Sequence, residues 1–339
     1  MTNLEALLLL PRLRVQNVNA ASSPLTWGFP SPTMFIGYVH ALHRQVSAEL
    51  DLALNGVAIV CHRFEVQAST PAGRRTNVFH LTRNPVGSDG KTAAIVEEGR
   101  AHMEVSLLVG VTGDGLYSSG IPEEELAERI YDRAVGMRFA GGSILPPTKK
   151  ASRWQQPSLE AWPGTVEEEK RLTRRLARRF LPGFALVSRE ALLHLRWQEL
   201  RATNPRATAL DALLDLSSLN LEPPGADGVS TPEADSKDPS ARSSRSPEWT
   251  IRRKQGWLVP ISAGYHGISE LYEPGQVKNV RDRSVPFRFV EGVYTIGEWL
   301  SPHRVDDIRT LLWISEADPE AGLYRCTTPY FADLLPGGF

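Results

Sequence analysis

The chain has 339 residues, of which 41% are hydrophobic and 23% are charged, so it can build a sizeable core and global disorder is excluded. Its 38 lysines and arginines are balanced by 39 acidic residues, which excludes a uniformly polycationic nucleic-acid binder but leaves room for local basic surfaces. Two cysteines, Cys61 and Cys326, are too few for a disulfide framework or a cysteine-rich zinc site. Because we find no export signal and no long apolar span, we expect a cytoplasmic protein without a membrane segment.

The first half of the chain is predicted to mix strands and helices. The predicted elements are, in chain order, a strand over 5–16, a helix from Ser31-Pro32, strands over 57–67 and 101–109, a helix from Pro122 and a short strand after the glycine turn in 139–146. This β-α-β-β-α-β order is that of the ferredoxin-like arrangement, which RNA-recognition modules use. We therefore predict an α+β protein in which residues 1–147 form a ferredoxin-like core.

The second half of the chain follows a different pattern. Residues 148–221 are expected to be a helical insertion, with helices over 167–180, 188–201 and 210–221. Residues 222–247 are rich in Pro, Gly, Ser and Asp and are predicted to be a disordered linker. The remaining residues, 248–339, are expected to form a mixed segment that packs back on the core, with a strand over 256–261 and a helix over 302–315.

A helix with many arginines gives the clearest electrostatic signal. Six of the ten residues in 170–179 are basic, namely Lys170, Arg171, Arg174, Arg175, Arg178 and Arg179. Arginines on one side of a helix and leucines on another would suit a surface that follows nucleic-acid phosphates. The alternatives are an acidic protein partner and a solvated helix in which Glu167 pairs with Arg171 one turn later.

The long connection between the second and third strands is also basic. Its cations are Arg74, Arg75, Arg83 and Lys91, and Phe79 and His80 lie between them. Arginines for phosphates and rings for bases are the chemistry of single-strand binding, and long ordered loops are often functional. The alternative is a mobile loop that only keeps the protein soluble.

Two further segments carry candidate RNA-binding groups. In the loop 17–30, Asn17, Asn19, Ser22 and Ser23 would contact bases or sugars, and Trp27 or Phe29 would stack on a base. In the turn after the second predicted helix, Gly141, Gly142 and Ser143 would let backbone amides approach a phosphate. The alternatives are that the two rings pack as core and that the glycines form a plain turn.

Catalysis and metal binding have little support in the sequence. His40 and His43 are spaced as neighbours on a helix, but no third metal ligand is placed near them, so we predict no metal and no cofactor. His62, His80 and His102 would in principle serve acid–base cleavage of RNA. No nucleophile motif, P-loop or dinucleotide fingerprint is present, so the residues alone assign no catalytic group.

Nine segments of the chain carry a further signal: 5–13, 22–32, 60–65, 81–85, 92–102, 140–146, 181–192, 256–261 and 297–304. Together these segments resemble the small Cas-five-type subunit of the type I-F CRISPR surveillance complex, an antiviral assembly. They occur in order over nearly the whole chain. The resemblance is absent from 222–247 and 334–339 and is poor over 148–164, so it implies no role for 222–247 or the C-terminal tail.

The resemblance implies a protein of the RAMP superfamily with a ferredoxin-like core and a thumb, here about 71–99, between the second and third strands. It implies a non-catalytic subunit that pairs with a large subunit to hold the 5′ handle of the guide RNA, next to a backbone subunit. Target DNA would be read through base pairing with the guide. Two alternatives stay open: an RNA endonuclease of the same superfamily, and a scaffold whose basic helix binds an acidic protein.

Overall fold

A computed structural model describes residues 4–83, 86–92, 94–146, 155–219, 221–222, 250–251, 254 and 256–330. The described strands are β1 (Ala6–Asn19), β2 (Ala53–Val66), β3 (Ala68–Ser69), β4 (Val78–Phe79), β5 (Leu81–Arg83), β6 (Ile95–Glu97), β7 (Arg100–Thr112), β8 (Arg138–Phe139), β9 (Gly142–Leu145), β10 (Ser158–Ala161), β11 (Phe184–Ser188), β12 (Leu221–Glu222), β13 (Thr250–Ile251), β14 (Leu258–Gly267), β15 (Val290–Leu300), β16 (Ile314–Asp318) and β17 (Leu323–Thr327). The described helices are α1 (Pro32–Leu50), α2 (Gly115–Ser118), α3 (Glu123–Val135), α4 (Val166–Arg179), α5 (Glu190–Thr203) and α6 (Ala209–Ser217).

One curled antiparallel sheet organises this mixed α/β fold. Its strands follow the order β16-β17-β14-β15-β11-β2-β7-β1-β9-β8, and β10 pairs with the first part of β1 beside β9. Two small hairpins, β3–β4 and β5–β6, lie between β2 and β7 and form the predicted thumb segment. None of the helices in the described ranges is long and apolar enough to cross a membrane.

The centre of the sheet is buried on both faces, which explains the apolar run in β1. On one face, Leu8 and Leu10 pack with the apolar sides of α1 and α3. On the other face, Leu7 and Leu9 pack with Leu172 and other apolar residues of α4. A strand that is covered on both sides needs apolar residues at every position, and residues 6–10 are apolar throughout.

Local end signals place the helix α1 where the sequence predicted it. The Ser31 side chain accepts a hydrogen bond from the Thr33 amide, and Pro32 occupies the first turn. The same hydroxyl donates to the carbonyl of Ser262 in β14 at 2.7 Å. The cap therefore also ties the first helix to the C-terminal part of the sheet.

The predicted helix over 302–315 is wrong. Two short 3₁₀ turns, Pro302–Arg304 and Ile308–Leu311, are followed by β16. Ile308, Leu311 and Leu312 are all buried, so their spacing matches a helical period although the chain only makes single turns. The indole of Trp313 is fully buried and donates to the carbonyl of Leu186 at 2.7 Å, which holds the segment against the sheet.

The segment 148–221 contains more than the predicted helical insertion. Its strand β10 pairs with β1, and its strand β11 joins β2 to β15 in the main sheet. The predicted linker beyond Glu222 and the tail 334–339 lie outside the described residues. The two strands that flank the linker, β12 and β13, pair with each other, so both ends of the linker lie together.

Candidate nucleic-acid interface

Asn17 lies at the root of the thumb, near the end of β1. Its backbone adopts a left-handed conformation with φ 58°, which asparagine tolerates better than most residues. The side-chain oxygen accepts a hydrogen bond from Gln67 at 2.6 Å, and its backbone amide donates to His102 Nδ1 at 3.4 Å. The Gln67 amide also lies 3.1 Å from His102 Nε2. These three exposed or half-buried polar groups form one cluster across β1, β7 and the end of β2.

Asn19 and Gly141 meet at a surface hollow of about 680 Å³ next to this cluster. The Asn19 side chain forms a local turn with Ala21, donating to its carbonyl at 3.0 Å and accepting from its amide at 3.1 Å. The hollow is also lined by Gly99 and by Arg100, whose guanidinium is held by Glu98 at 2.6 Å. Two of the predicted RNA-binding segments therefore share one concave surface.

The glycines of the predicted phosphate turn have structural reasons to be glycine. Ala140 and Gly141 have φ values of 47° and 79° and connect β8 to β9 as a two-residue hairpin turn, which requires positive φ at both positions. A Cβ at Gly142 would collide with the carbonyl of Gln16 in β1. Ser143 is exposed in β9. A phosphate contact at these residues stays a prediction, since the tight turn explains Gly141 and the close approach to β1 explains Gly142.

The structure separates the two rings of the loop 17–30. Trp27 is 61% exposed and packs edge-to-face on Phe79 of the thumb, with ring centres 5.4 Å apart. Phe29 is half-buried and contacts the rings of Phe35, Phe64 and Trp299 at 4.9–5.5 Å. Trp27 is consequently the ring that can stack on a ligand, whereas Phe29 belongs to the core.

The two predicted serines hold this loop together. The Ser22 hydroxyl accepts a hydrogen bond of 3.0 Å from the backbone amide of Ser31. The Ser23 hydroxyl lies 2.7 Å from that of Thr26 and accepts two backbone amides of its own loop. These bonds shape the loop that presents Trp27, so any contact of the serines with RNA would be in addition to a structural role.

A groove beside Trp27 contains aromatic residues that the sequence analysis did not select. This aromatic groove, of about 640 Å³, is lined by Trp27, Phe29, Phe184, Trp257 and Trp299, together with His62 and Arg63. Phe184 and Trp257 are 44% and 57% exposed and contact each other edge-to-face at 5.3 Å. The sequence gives no signal for these exposed rings, because only the sheet order β14-β15-β11-β2-β7-β1 brings them beside Trp27.

The thumb arginines occupy an exposed turn. Arg74 and Arg75 lie between β3 and β4, and in the part of the chain that the structure describes no carboxylate is within ion-pairing distance of either. Arg83 lies in β5, opposite Ile95 of β6, and its side chain is outside the description. The Trp27–Phe79 contact places the thumb hairpin directly beside the loop 17–30.

The basic helix α4 presents four arginines to solvent. Arg171, Arg174, Arg175 and Arg178 line a shallow hollow of about 370 Å³. Lys170 is also exposed. Within this set, Arg171 approaches Glu167 at 3.7 Å and Arg175 pairs with Glu160 at 2.5 Å. Helix α4 thus presents an exposed basic surface, as predicted. The predicted ion pair between Arg171 and Glu167 is also present.

Arg179 does not belong to that surface, and the prediction is corrected there. Its side chain is only 10% exposed and donates to the Ser158 hydroxyl at 2.6 Å and to the Gln156 carbonyl at 2.5 Å. Burial is the main cause that lowers the pKa of the guanidinium. Arg179 therefore fastens the end of α4 to β10.

His62 makes a serine–histidine pair in which the serine is buried. Its Nε2 lies 2.7 Å from the Ser106 hydroxyl, and its Nδ1 lies 2.7 Å from the Pro182 carbonyl. Burial lowers the pKa of His62 to about 4, so the ring is neutral at pH 7. Ser106 is 1% exposed, which prevents attack on a ligand. Among the described residues no three His, Cys, Asp or Glu side chains are grouped to hold a metal ion.

Neither of the two cysteine thiols is fully exposed. Cys61 is half-buried in β2 and Cys326 is buried in β17, and the two are not joined in a disulfide. Burial raises the pKa of Cys61 to about 12 and that of Cys326 to about 11, so neither forms a thiolate near neutral pH.

Comparison with known proteins identifies the family. Residues 8–326 match the family model described as CRISPR-associated protein (Cas_Csy2). Over 332 residues the chain is 56% identical to the CRISPR-associated protein Csy2 of Pseudomonas aeruginosa (strain UCBPP-PA14), and the match covers 98% of each chain. The expected type I-F CRISPR origin is confirmed. The name that both matches give is Csy2, and this overturns the assignment to the small Cas-five-type subunit.

Proposed function

Since this chain belongs to the Csy2 family of CRISPR-associated proteins, we propose that it is a non-catalytic subunit that binds guide RNA within a type I-F surveillance complex. The observation that carries this proposal is the contact between Trp27 and Phe79. This contact joins the loop that holds Asn17 and Asn19 to the hairpin that holds Arg74 and Arg75. Groups able to read bases and groups able to hold phosphates thereby occupy one continuous surface.

The central part of the fold supports a ferredoxin-like core for this binding. The strands β9-β1-β7-β2 are neighbours, α1 connects β1 to β2, and α3 connects β7 to the hairpin β8–β9. This is a β-α-β-β-α-β unit with both helices packed on one face. The thumb hairpins emerge between its second and third strands.

The segment of RNA that we propose as the ligand is the 5′ handle of the guide, the part not used for pairing with target DNA. A short, unpaired segment can splay its bases toward Trp27 and the hollow at Asn19, while Arg74 and Arg75 approach its phosphates. Neighbouring protein subunits of the complex would enclose the other side of the RNA. Target DNA would then be recognised by base pairing with the bound guide.

The test is a titration of labelled guide RNA with the full chain and its co-expressed complex subunits. The variant Asn17→Gly with Asn19→Ala removes both amides, and glycine at position 17 keeps the left-handed backbone. We expect this variant to weaken binding of the true handle more than that of a scrambled handle, because amides read base edges. Equal weakening of both RNAs would argue against handle recognition at this surface.

A matched control and a cleavage assay complete this test. Gln45→Ala with Asn55→Ala also removes two exposed amides, at positions outside the proposed surface, and should leave both affinities unchanged. Incubating the wild-type protein with its repeat RNA without metal should give no cleavage. Cleavage that disappears in a His62→Ala, His80→Ala or His102→Ala variant would replace the binding role by the endonuclease alternative.

A further inference from the structure

The connection between β14 and β15 is an ordered hairpin that projects from the sheet; residues 268–289 are called the basic hairpin below. Tyr272 and Phe287 pair across it, with reciprocal backbone hydrogen bonds of 2.7 and 2.9 Å. Phe289 contacts the rings of Phe287 and Tyr272 edge-to-face at 5.0 and 6.0 Å. The Ser269 hydroxyl accepts a hydrogen bond of 3.0 Å from the backbone amide of Phe289. The stem is therefore stiffened by ring packing as well as by backbone pairing.

Arg288 anchors this stem to the neighbouring strand pair. Its guanidinium donates to the Pro319 carbonyl at 3.2 Å. The side chain lies against Gly267 and Gly322, and a Cβ at either glycine would collide with it. A cation that is already enclosed in this way supports the hairpin and is not part of the exposed charge at its tip.

The tip carries three exposed cations, Lys278, Arg281 and Arg283. Over 276–284 these three cations are accompanied by one carboxylate, which gives a local net charge of +2 in a chain whose net charge is −1. That carboxylate, Asp282, accepts hydrogen bonds from the Ser284 amide at 2.8 Å and the Ser284 hydroxyl at 2.6 Å. In the described ranges none of the three tip cations has a carboxylate within ion-pairing distance.

The opposite leg of the hairpin is acidic, because it carries Glu270 and Glu273. Counting both legs, 268–289 has a net charge of only +1, so the positive charge is concentrated on one side. A polyanion would be attracted to the side of Lys278, Arg281 and Arg283 and repelled from the other, which gives it a defined orientation.

We propose that the tip of the basic hairpin binds the phosphate backbone of a nucleic acid. The proposal rests on the proposed function, which places guide RNA and target DNA next to this subunit. Guanidinium groups match phosphate geometry with paired donors, and a stiff hairpin loses little conformational freedom on binding. Strand β14 separates the hairpin from Ser262, the nearest residue of the aromatic groove on this strand, by about 20 Å, at roughly 3.3 Å per residue. The hairpin therefore contacts a different stretch of nucleic acid from the handle site.

The experiment compares a double variant, which carries both Arg281→Gln and Arg283→Gln, with the wild-type protein in the assembled complex. Two probes distinguish the sources of phosphate: labelled guide RNA during assembly, and duplex DNA carrying the matching target added to the finished complex. We expect one of the two affinities to fall several-fold at physiological salt. For that probe, the slope of log binding constant against log salt concentration should become shallower. The change should be about 1.4 for a single strand or about 1.8 for a duplex.

The control variant Arg44→Gln with Arg206→Gln removes the same charge from exposed arginines elsewhere and should change neither affinity. Unchanged binding of both probes by the hairpin variant, with wild-type handle recognition intact, would overturn this inference but leave the proposed function standing. Failure of the wild-type protein to bind guide RNA would instead overturn the proposed function. Loss of an acidic protein subunit from the complex, without any change in nucleic-acid affinity, would also overturn the inference, because the partner would then be a protein.

Discussion

The imidazole of His62 in β2 and the hydroxyl of Ser106 in β7 lie 2.7 Å apart in the middle of the sheet. The Pro182 carbonyl can only accept, so Nδ1 carries the proton and Nε2 accepts from Ser106. The serine oxygen in turn accepts the backbone amide of Arg12 in β1 at 3.0 Å. This series of hydrogen bonds crosses three strands at the level where the pairings of β7 with β1 and β2 shift register.

The His62 site predicts a pH-dependent stability. Its pKa in the folded state is about 4, below the ordinary value of 6.5, because burial disfavours the charged ring. Between pH 6.5 and 4 the unfolded chain takes up a proton that the folded protein does not. The contribution of His62 to the free energy of unfolding is therefore complete above pH 6.5 and falls by at most about 3 kcal/mol toward pH 4. Urea unfolding at pH 7 and pH 5 measures the loss.

Carboxylates also change the stability as the pH falls, so two histidine variants are needed to isolate the contribution of His62. His62→Gln should lower the stability at pH 7 and flatten its decrease between pH 7 and pH 5. His80→Gln changes an exposed histidine and should retain the wild-type pH dependence. If the decrease with pH is the same in all three proteins, the neutral, buried state of His62 is refuted.

The thumb predicts a salt effect that is independent of RNA sequence. Arg74→Ala with Arg75→Ala removes two exposed cations, so the log–log salt slope of RNA binding should become shallower by about 1.4. Handle and scrambled RNA should lose affinity equally, because phosphates carry no sequence information. Titration at several salt concentrations tests this, with Arg44→Ala and Arg206→Ala as the charge-matched control. An unchanged slope would leave the thumb as a solvated hairpin without phosphate contacts.

Removing the Trp27 ring is predicted to change RNA affinity, whereas removing the Phe29 ring is predicted to change stability. Trp27→Ala should weaken RNA binding by about 1–3 kcal/mol, the range for a stacked base, with little effect on thermal unfolding. Phe29→Ala should lower the free energy of unfolding by about 2 kcal/mol, because it vacates a half-buried contact with three rings. Melting curves and RNA titrations of both variants test the contrast. The opposite assignment of the two effects would place the stacking ring at Phe29.

The segment 223–249 is predicted to be dispensable for folding. Its flanking strands pair as Leu221 with Ile251 and Glu222 with Thr250, so a few Gly and Ser residues can close the gap. The entropic cost of closing a loop falls by about 0.6 kcal/mol each time its length is halved, so stability should be unchanged or rise by about 1–2 kcal/mol. Thermal unfolding and complex assembly of the shortened chain are the measurements. A collapse of either would show that the segment has a structural role.

The sequence by itself determined the elements whose signals are local. The Ser31-Pro32 start of α1, the doubly apolar β1 and the alternating β7 follow from capping and periodicity, which act within a few residues. The same holds for the exposed arginines of α4, since leucines at helical spacing leave the other side to solvent. Whole-chain motifs also pointed to a type I-F CRISPR protein, although full-length comparison was needed to name Csy2.

The tertiary structure alone decided which residues meet. Arg178 and Arg179 are neighbours in one basic run, yet only Arg179 is buried, because β10 pairs with β1 and places Ser158 beneath it. Trp27 and Phe29 are two residues apart, yet the packing of Trp299 from β15 covers only Phe29. Burial depends on neighbours more than a hundred residues away, and no local pattern of charge or hydrophobicity contains that information.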